Sequence, residues 1–183
     1  MKAKILVGIS AALIFALIVY LGSAIRSVET LEERLSYREP SLGLSSSQSA
    51  QSNDLQMTYV PVYSHIYVSG GRPLLLGATL SIRNTSFENQ LEIVSVDYYS
   101  TEGRLLKGFI DAPRMLPAMA TATYLVDRQD EQGGDGANFV VTWRSNDEHL
   151  SPLMEAVMFG SHEGSHVSFT ARGHGISRPR PAE

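Results

Sequence analysis

The chain has 183 residues, 43% of them hydrophobic and 19% charged, with a net charge of −4. That composition supports a packed core, and it excludes both a wholly disordered chain and a nucleic-acid binder that works by neutralising phosphates. Cysteine is absent, which excludes disulfides, thiolate metal sites, iron–sulfur clusters, thiol catalysis and a lipidated cysteine.

From Ile5 to Ile25 the chain carries no charged residue. As a helix this stretch spans roughly 30 Å, the thickness of a bilayer's hydrocarbon core. Lys2, Lys4 and the amino terminus precede it, and Arg26 followed by Glu29, Glu32 and Glu33 comes after. Positive charge beside a span favours the cytoplasmic side, so the expectation is a single-pass anchor with its N-terminus inside and the rest exported. A cleavable signal peptide ending near Gly22-Ser23-Ala24, giving a secreted protein, is the alternative; the length of the apolar stretch favours retention. Val28, Leu31 and Leu35 then fall on one helical stripe, too short for a coiled-coil assignment, so an extension of the anchor helix is expected. Pro40 ends it, and Ser41 to Gln56 reads as a Ser/Gln/Asn-rich tether whose ends lie roughly 20–25 Å apart.

Beyond Met57 the periodicity becomes alternating, the mark of strands. Tyr59 to Val68 reads as one strand, with Val60, Val62, Ile66 and Val68 facing a core and Tyr59, Tyr63, His65 and Tyr67 on the other face. Pro61 cannot donate to a ladder, which predicts an edge position. Leu74 to Asn84 reads as a second strand, burying Leu76, Ala78, Leu80 and Ile82. The third, Leu91 to Ser100, buries Val94, Val96 and Tyr98. It turns through Thr101-Glu102-Gly103-Arg104 into Leu105 to Ile110. Pro113 and Pro117 bracket a short connection, followed by strands at Ala118 to Val126 and Phe139 to Trp143. Leu153 to Phe159 is strand or helical turn, and His166 to Ala171 closes the domain. Seven or eight short strands predict an all-β, antiparallel, immunoglobulin-like sandwich, with a small barrel as the alternative. The expected organisation is a membrane anchor (1–26), juxtamembrane helix and tether (27–56), exported β-sandwich (57–176) and disordered tail (177–183).

Four stretches are similar to a family catalogued as domain of unknown function 3124. They are Tyr59-Val60-Pro61-Val62-Tyr63-Ser64-His65-Ile66-Tyr67, Leu80-Ser81-Ile82-Arg83-Asn84, Val94-Ser95-Val96-Asp97-Tyr98-Tyr99, and Gly133-Gly134-Asp135-Gly136-Ala137-Asn138-Phe139. The resemblance covers roughly residues 57–173. It implies a bacterial envelope protein, and it brings no activity and no catalytic residues.

His162-Glu163-Gly164-Ser165-His166 matches H-E-x-x-H letter for letter. On a helix that spacing aims two imidazoles at one zinc while the glutamate activates water. Here Gly and Ser are the spacers, a β pattern follows, and no third ligand is in place, so a solvated turn is expected. Asp127, Asp130, Glu131 and Asp135 surround a glycine-rich loop and raise calcium, although the spacing does not fit an EF-hand. Asn84-Thr85-Ser86 fits the glycosylation sequon. No nucleophile elbow, dinucleotide fingerprint or phosphate-binding loop appears, and no cofactor is expected. Three functional readings follow. The first is a membrane-tethered, non-enzymatic module that binds an envelope protein or polymer through Tyr59, Tyr63, His65 and Tyr67. The second is a zinc hydrolase using His162 and His166. The third is a calcium or small-ligand sensor at residues 127–138.

Overall fold

The computed structural model describes residues 14–22, 26, 36–45, 55–128, 130, 132–147, 149–162 and 164–177. It divides the chain into two units, Met1–Arg38 and Glu39–Glu183. In the first, residues 14–22 are helical and their apolar side chains are exposed. Among the described residues no helix is long and apolar enough to cross a membrane. Residues 5–13 and 23–25 of the expected span, most of the expected juxtamembrane helix and nearly all of the expected tail lie outside the described residues.

The second unit is all-β and antiparallel. Its strands are β1 (Gly43–Leu44), β2 (Gln56–Pro61), β3 (His65–Val68), β4 (Arg72–Leu75), β5 (Gly77–Arg83), β6 (Leu91–Tyr99), β7 (Leu105–Gly108), β8 (Arg114–Leu116), β9 (Thr121–Val126), β10 (Asn138–Arg144), β11 (Leu153–His162), β12 (Ser165–Arg172) and β13 (His174–Ile176). One sheet runs β1-β8-β6-β10-β2-β13, with β7 also on β6; a second runs β12-β11-β5-β9; β3 and β4 form a separate ribbon. Both sheets feed one buried cluster. Val60, Ile93, Val96, Phe139 and Val141 come from the first, and Leu80, Ile82, Tyr124, Met154 and Met158 from the second. Phe109 bridges them, lying 5.8 Å from Phe139 and 5.5 Å from Tyr124 between ring centroids. This is the layering of a sandwich, in which period-2 strands each turn one apolar face inward.

The expected first strand is two strands in different places. After Pro61 the chain leaves the sheet: Val62 N–H donates to Ala137 O at 2.9 Å, and Ser64 N–H to Gly134 O at 3.0 Å. Two-residue parity puts the Val62 and Val60 amides toward β10, so Pro61 lacks a donor only on the opposite side. There β13 has already ended, since its last partner is Tyr59. Proline therefore costs no ladder bond, and β2 is an interior strand flanked by β10 and β13 rather than the predicted edge.

The third strand also differs from its alternation. Thr142 pairs with Ser95 but Trp143 pairs with Ile93, a one-residue shift that leaves Val94 unpaired. Such a bulge moves every residue on one side of it to the other face. Leu91 and Ile93 are therefore buried together with Val96 and Tyr98, while Val94 is only half-buried. The expected tether is also shorter than its composition suggests, because Gly43–Leu44 pairs with β8 and Gln56 opens β2. The connection bracketed by Pro113 and Pro117 contains β8 itself.

Candidate functional site

The four residues expected to share a binding face are distributed over three places. Tyr59 lies on β2 opposite Val140 and His174. Tyr63 sits in the crossover and packs edge-on against Phe169 of β12, with ring centroids 5.7 Å apart. Only His65 and Tyr67 come together, on the outer face of the β3–β4 ribbon, with ring centroids 5.1 Å apart and Tyr67 61% exposed. Ile66 and Leu74 pair on the other face and anchor the ribbon to the core.

The H-E-x-x-H segment is a β-hairpin. His162 pairs with Ser165 and Ser161 pairs with His166, around Gly164 at φ +81°. Directly paired residues share a face and neighbours alternate, so the two imidazoles project from opposite faces. His166 stacks on Phe159, with the rings 19° from parallel. One zinc ion is out of reach of both, which corrects the hydrolase reading. Glu163 lies outside the described residues.

The glycine-rich loop is a clasp. Thr101 N–H and Oγ1 both donate to Gly133 O, at 2.8 and 3.1 Å. Gly136 N–H donates to Thr101 Oγ1 at 2.8 Å, and Ser64 Oγ donates to Gly134 O at 2.9 Å. A Cβ on Gly133 would stand 1.9 Å from Tyr98 Oη, and one on Gly134 would stand 2.3 Å from Thr101 Oγ1. Close approach therefore explains these glycines without a ligand. Asp130 accepts the Gln132 N–H at 3.1 Å. Among the described residues no three of His, Asp and Glu gather as a metal site, so Asp127, Asp130 and Asp135 are not brought together; Glu131 lies outside the described residues. Asn84 is buried, and its amide nitrogen donates to three carbonyls, those of Asn89, Leu116 and Pro117. The sequon is a structural knot.

Beneath the clasp lies the Tyr98 hydroxyl, buried and without a hydrogen-bond partner among the described residues. Burial, then the nearby charge of Asp130, pushes its pKa up from 10.0 to about 12. A raised folded value means stability is fully present below the unfolded pKa of about 10 and is lost as pH rises toward 12. Tyr98→Phe should therefore unfold no more easily than wild type, or gain up to about 1 kcal/mol, because an unmet hydroxyl is removed. It should also lose the part of the alkaline destabilisation that comes from Tyr98. Denaturant unfolding at pH 7 and pH 11 checks this, and a loss above about 1 kcal/mol at pH 7 would show that the hydroxyl makes a bond.

One concavity in the described structure was not legible in the sequence. A cleft of about 720 Å³ opens between β2, the β10–β11 connection and the β12–β13 turn. Gly173 makes it possible. The chain crosses there from one sheet to the other, and a Cβ would meet Thr58 Cγ2 at 2.7 Å and Val60 Cγ2 at 2.9 Å. In the wall, the Trp143 indole N–H donates to Thr58 Oγ1 at 3.0 Å. Asp147 is held in place by the His149 N–H at 2.9 Å and the Asn89 amide at 3.2 Å. Gln56 and Arg172 complete the rim, and Arg172 is in no ion pair among the described residues. The cleft thus offers an aromatic wall with one cationic and one anionic residue on its lining. Of these groups only Trp143 carried a sequence signal: its alternation with Phe139 and Val141 in the strand from Phe139 to Trp143 points to the core.

A comparison with curated proteins and one with solved structures found no match. A family model does match, described as protein of unknown function (DUF3124), over residues 55–176. That span runs from the start of β2 to the end of β13, and by it this chain belongs to the DUF3124 family.

Proposed function

We propose that the protein is a non-enzymatic binding module, exported from a bacterial cell and held at its membrane by the N-terminal helix, that takes up an envelope protein or polymer. The observation that carries this reading is the cleft of about 720 Å³ with Trp143 in its wall. Its size is that of pockets that bind small molecules or segments of larger ones, and an indole at the edge of a concave surface gives apolar area beside polar groups. The uncharged run from Ile5 to Ile25 and the charge bias around it support the anchor and the outward orientation. The finer reading of the fold, an immunoglobulin-like sandwich, draws support from two antiparallel sheets whose neighbours are mostly non-consecutive strands. The exposed His65–Tyr67 pair supports a second contact surface on the ribbon.

Photo-crosslinking residues placed at Gln56 and Leu153, both on the cleft, test this in intact cells. The same adduct should form from both positions and not from Thr123, on the outer face of the other sheet. No adduct from the cleft positions, or equal labelling from Thr123, would overturn the reading. A reporter active only in the cytoplasm, fused after Glu183, should be silent in the same cells; strong signal would overturn the export half of the proposal.

A further inference from the structure

Two exposed apolar side chains stand on neighbouring loops at one end of the β-domain: Phe87 is 83% exposed and Met119 is 58% exposed. Their loops are built to keep them there. The Asn84 amide donates to the carbonyls of Asn89, Leu116 and Pro117, which ties the loop after β5 to the turn after β8. Ser86 Oγ accepts the amides of Glu88 and Asn89 at 3.2 and 2.9 Å, so the backbone is fixed on both sides of Phe87. Met119 N–H donates to Ser86 O at 3.0 Å, and Ala120 N–H closes the turn on Pro117 O at 3.2 Å. Met119 is thereby the third residue of that turn, at φ +59°, a place glycine normally takes. Backbone held in a sparsely populated region persists only where its surroundings enforce it, and such places cluster at binding surfaces.

The chain also enters the domain at this end. β1 is antiparallel to β8, with Gly43 opposite Met115 and Leu44 opposite Arg114. Leu42 and Ser41, which precede them, therefore lie level with Leu116 and Pro117, whose carbonyls Asn84 holds. The Arg114 guanidinium reaches Leu42 O at 3.4 Å, and Leu42 packs against the core, so the entry point is fixed. The turn from Thr101 to Arg104 marks the opposite end, the length of β6 away, roughly 30 Å.

We propose that Phe87 and Met119 form a lipid-contacting tip through which the domain rests on the bilayer that holds its anchor. This rests on the reading of Ile5 to Ile25 as that anchor, and it does not depend on the cleft or its ligand. Two observations favour lipid over a protein. The tip lies where the anchored segment joins the domain, so the bilayer is the surface presented to it at high effective concentration. Two projecting side chains are also a small part of the about 800 Å² that each partner of a stable protein interface buries. A bilayer needs no matched surface, because an apolar side chain is buried simply by entering it. The charges on these loops set the kind of lipid. Glu88 is exposed, Asn89 holds Asp147, and Arg83 is paired with Glu155 at 3.3 Å. The contact is therefore apolar, and zwitterionic lipid suffices for it.

The absence of native cysteine allows a single label. Full-length Glu88→Cys and full-length Glu102→Cys, both at exposed positions, carry a nitrobenzoxadiazole fluorophore, one at the tip and one at the opposite end. Each is reconstituted into phosphatidylcholine vesicles that contain a nitroxide-labelled phosphatidylcholine. The tip predicts quenching at position 88 several-fold above that at position 102. Adding Phe87→Ser and Met119→Asn, the latter suited to left-handed backbone, should bring quenching at 88 down to the level at 102 and leave the melting temperature unchanged. Equal quenching at the two positions in protein that floats with the vesicles, or quenching at 88 that survives both substitutions, overturns the proposal and leaves the anchor standing. A melting temperature lowered by many degrees shows that the two side chains are packed, and overturns it as well. Protein that does not float with the vesicles overturns the anchor, and the proposal with it.

Discussion

Arg144→Met is expected to cost about 3–5 kcal/mol of folding stability, the range found when a buried ion pair loses one partner. Glu92 on β6 and Arg144 on β10 are cross-strand neighbours. The Glu92 side chain is 4% exposed, and its carboxylate takes two guanidinium hydrogen bonds, one of them Arg144 Nη2 to Oε1 at 3.1 Å. The Arg144 hydrogen bond holds the Glu92 pKa below the ordinary glutamate value, against burial, which raises it. A depressed folded value stabilises the protein above the unfolded pKa and is lost as pH falls through the folded one. Wild type should therefore weaken in acid, below about pH 4. In Arg144→Met only burial and the Ser45 bond remain, and burial is the larger, so the carboxyl shifts upward and the sign reverses: stability should fall as pH rises toward neutrality. Glu92→Gln should cost less, because the Arg144 side chain is 29% exposed and its head can turn to water. The double variant Glu92→Leu/Arg144→Met should recover most of the loss. Urea unfolding from pH 3.5 to 7.5 measures all of this. A loss below about 1 kcal/mol in Arg144→Met at pH 7 would place the pair among exposed surface bridges.

Trp143→Ala is the second large effect, expected at about 3–5 kcal/mol. Trp143 is the sole tryptophan. It is 8% exposed, and truncation leaves both a cavity beside the cleft and the Thr58 hydroxyl without its donor. Trp143→Phe separates these contributions, since it keeps much of the packing and loses the hydrogen bond, for about 1 kcal/mol more than the packing change alone. Unfolding followed by far-ultraviolet circular dichroism reads both variants, as neither retains indole fluorescence. A change of a few tenths of a kcal/mol in Trp143→Ala would mean that the indole face is solvated and the cleft is wider than described.

The sequence by itself determined the strands whose alternation is uninterrupted. Ala78, Leu80 and Ile82 on β5, and Phe139, Val141 and Trp143 on β10, are buried as period-2 patterning requires. Gly103 takes φ +76° in the turn where a left-handed residue was needed. Patterning of this kind is local, because each side chain's face follows from its neighbour's. Tertiary structure decided wherever a distant hydrogen bond outweighed local alternation. The single run from Tyr59 to Val68 divides because Ser64 is bonded through both its amide and its hydroxyl to Gly134, seventy residues away. The inward face of β6 changes at Val94 because a bulge against β10 shifts the register. Two-residue β1 and three-residue β8 and β13 are too short to carry a period, and they are strands only because a partner edge pairs with them. The two histidines of the H-E-x-x-H segment face apart for the same reason, since pairing with β11 and not the spacing of letters sets where they point. The cleft depends on one crossing at Gly173, whose missing side chain matters only once β2 lies beneath it.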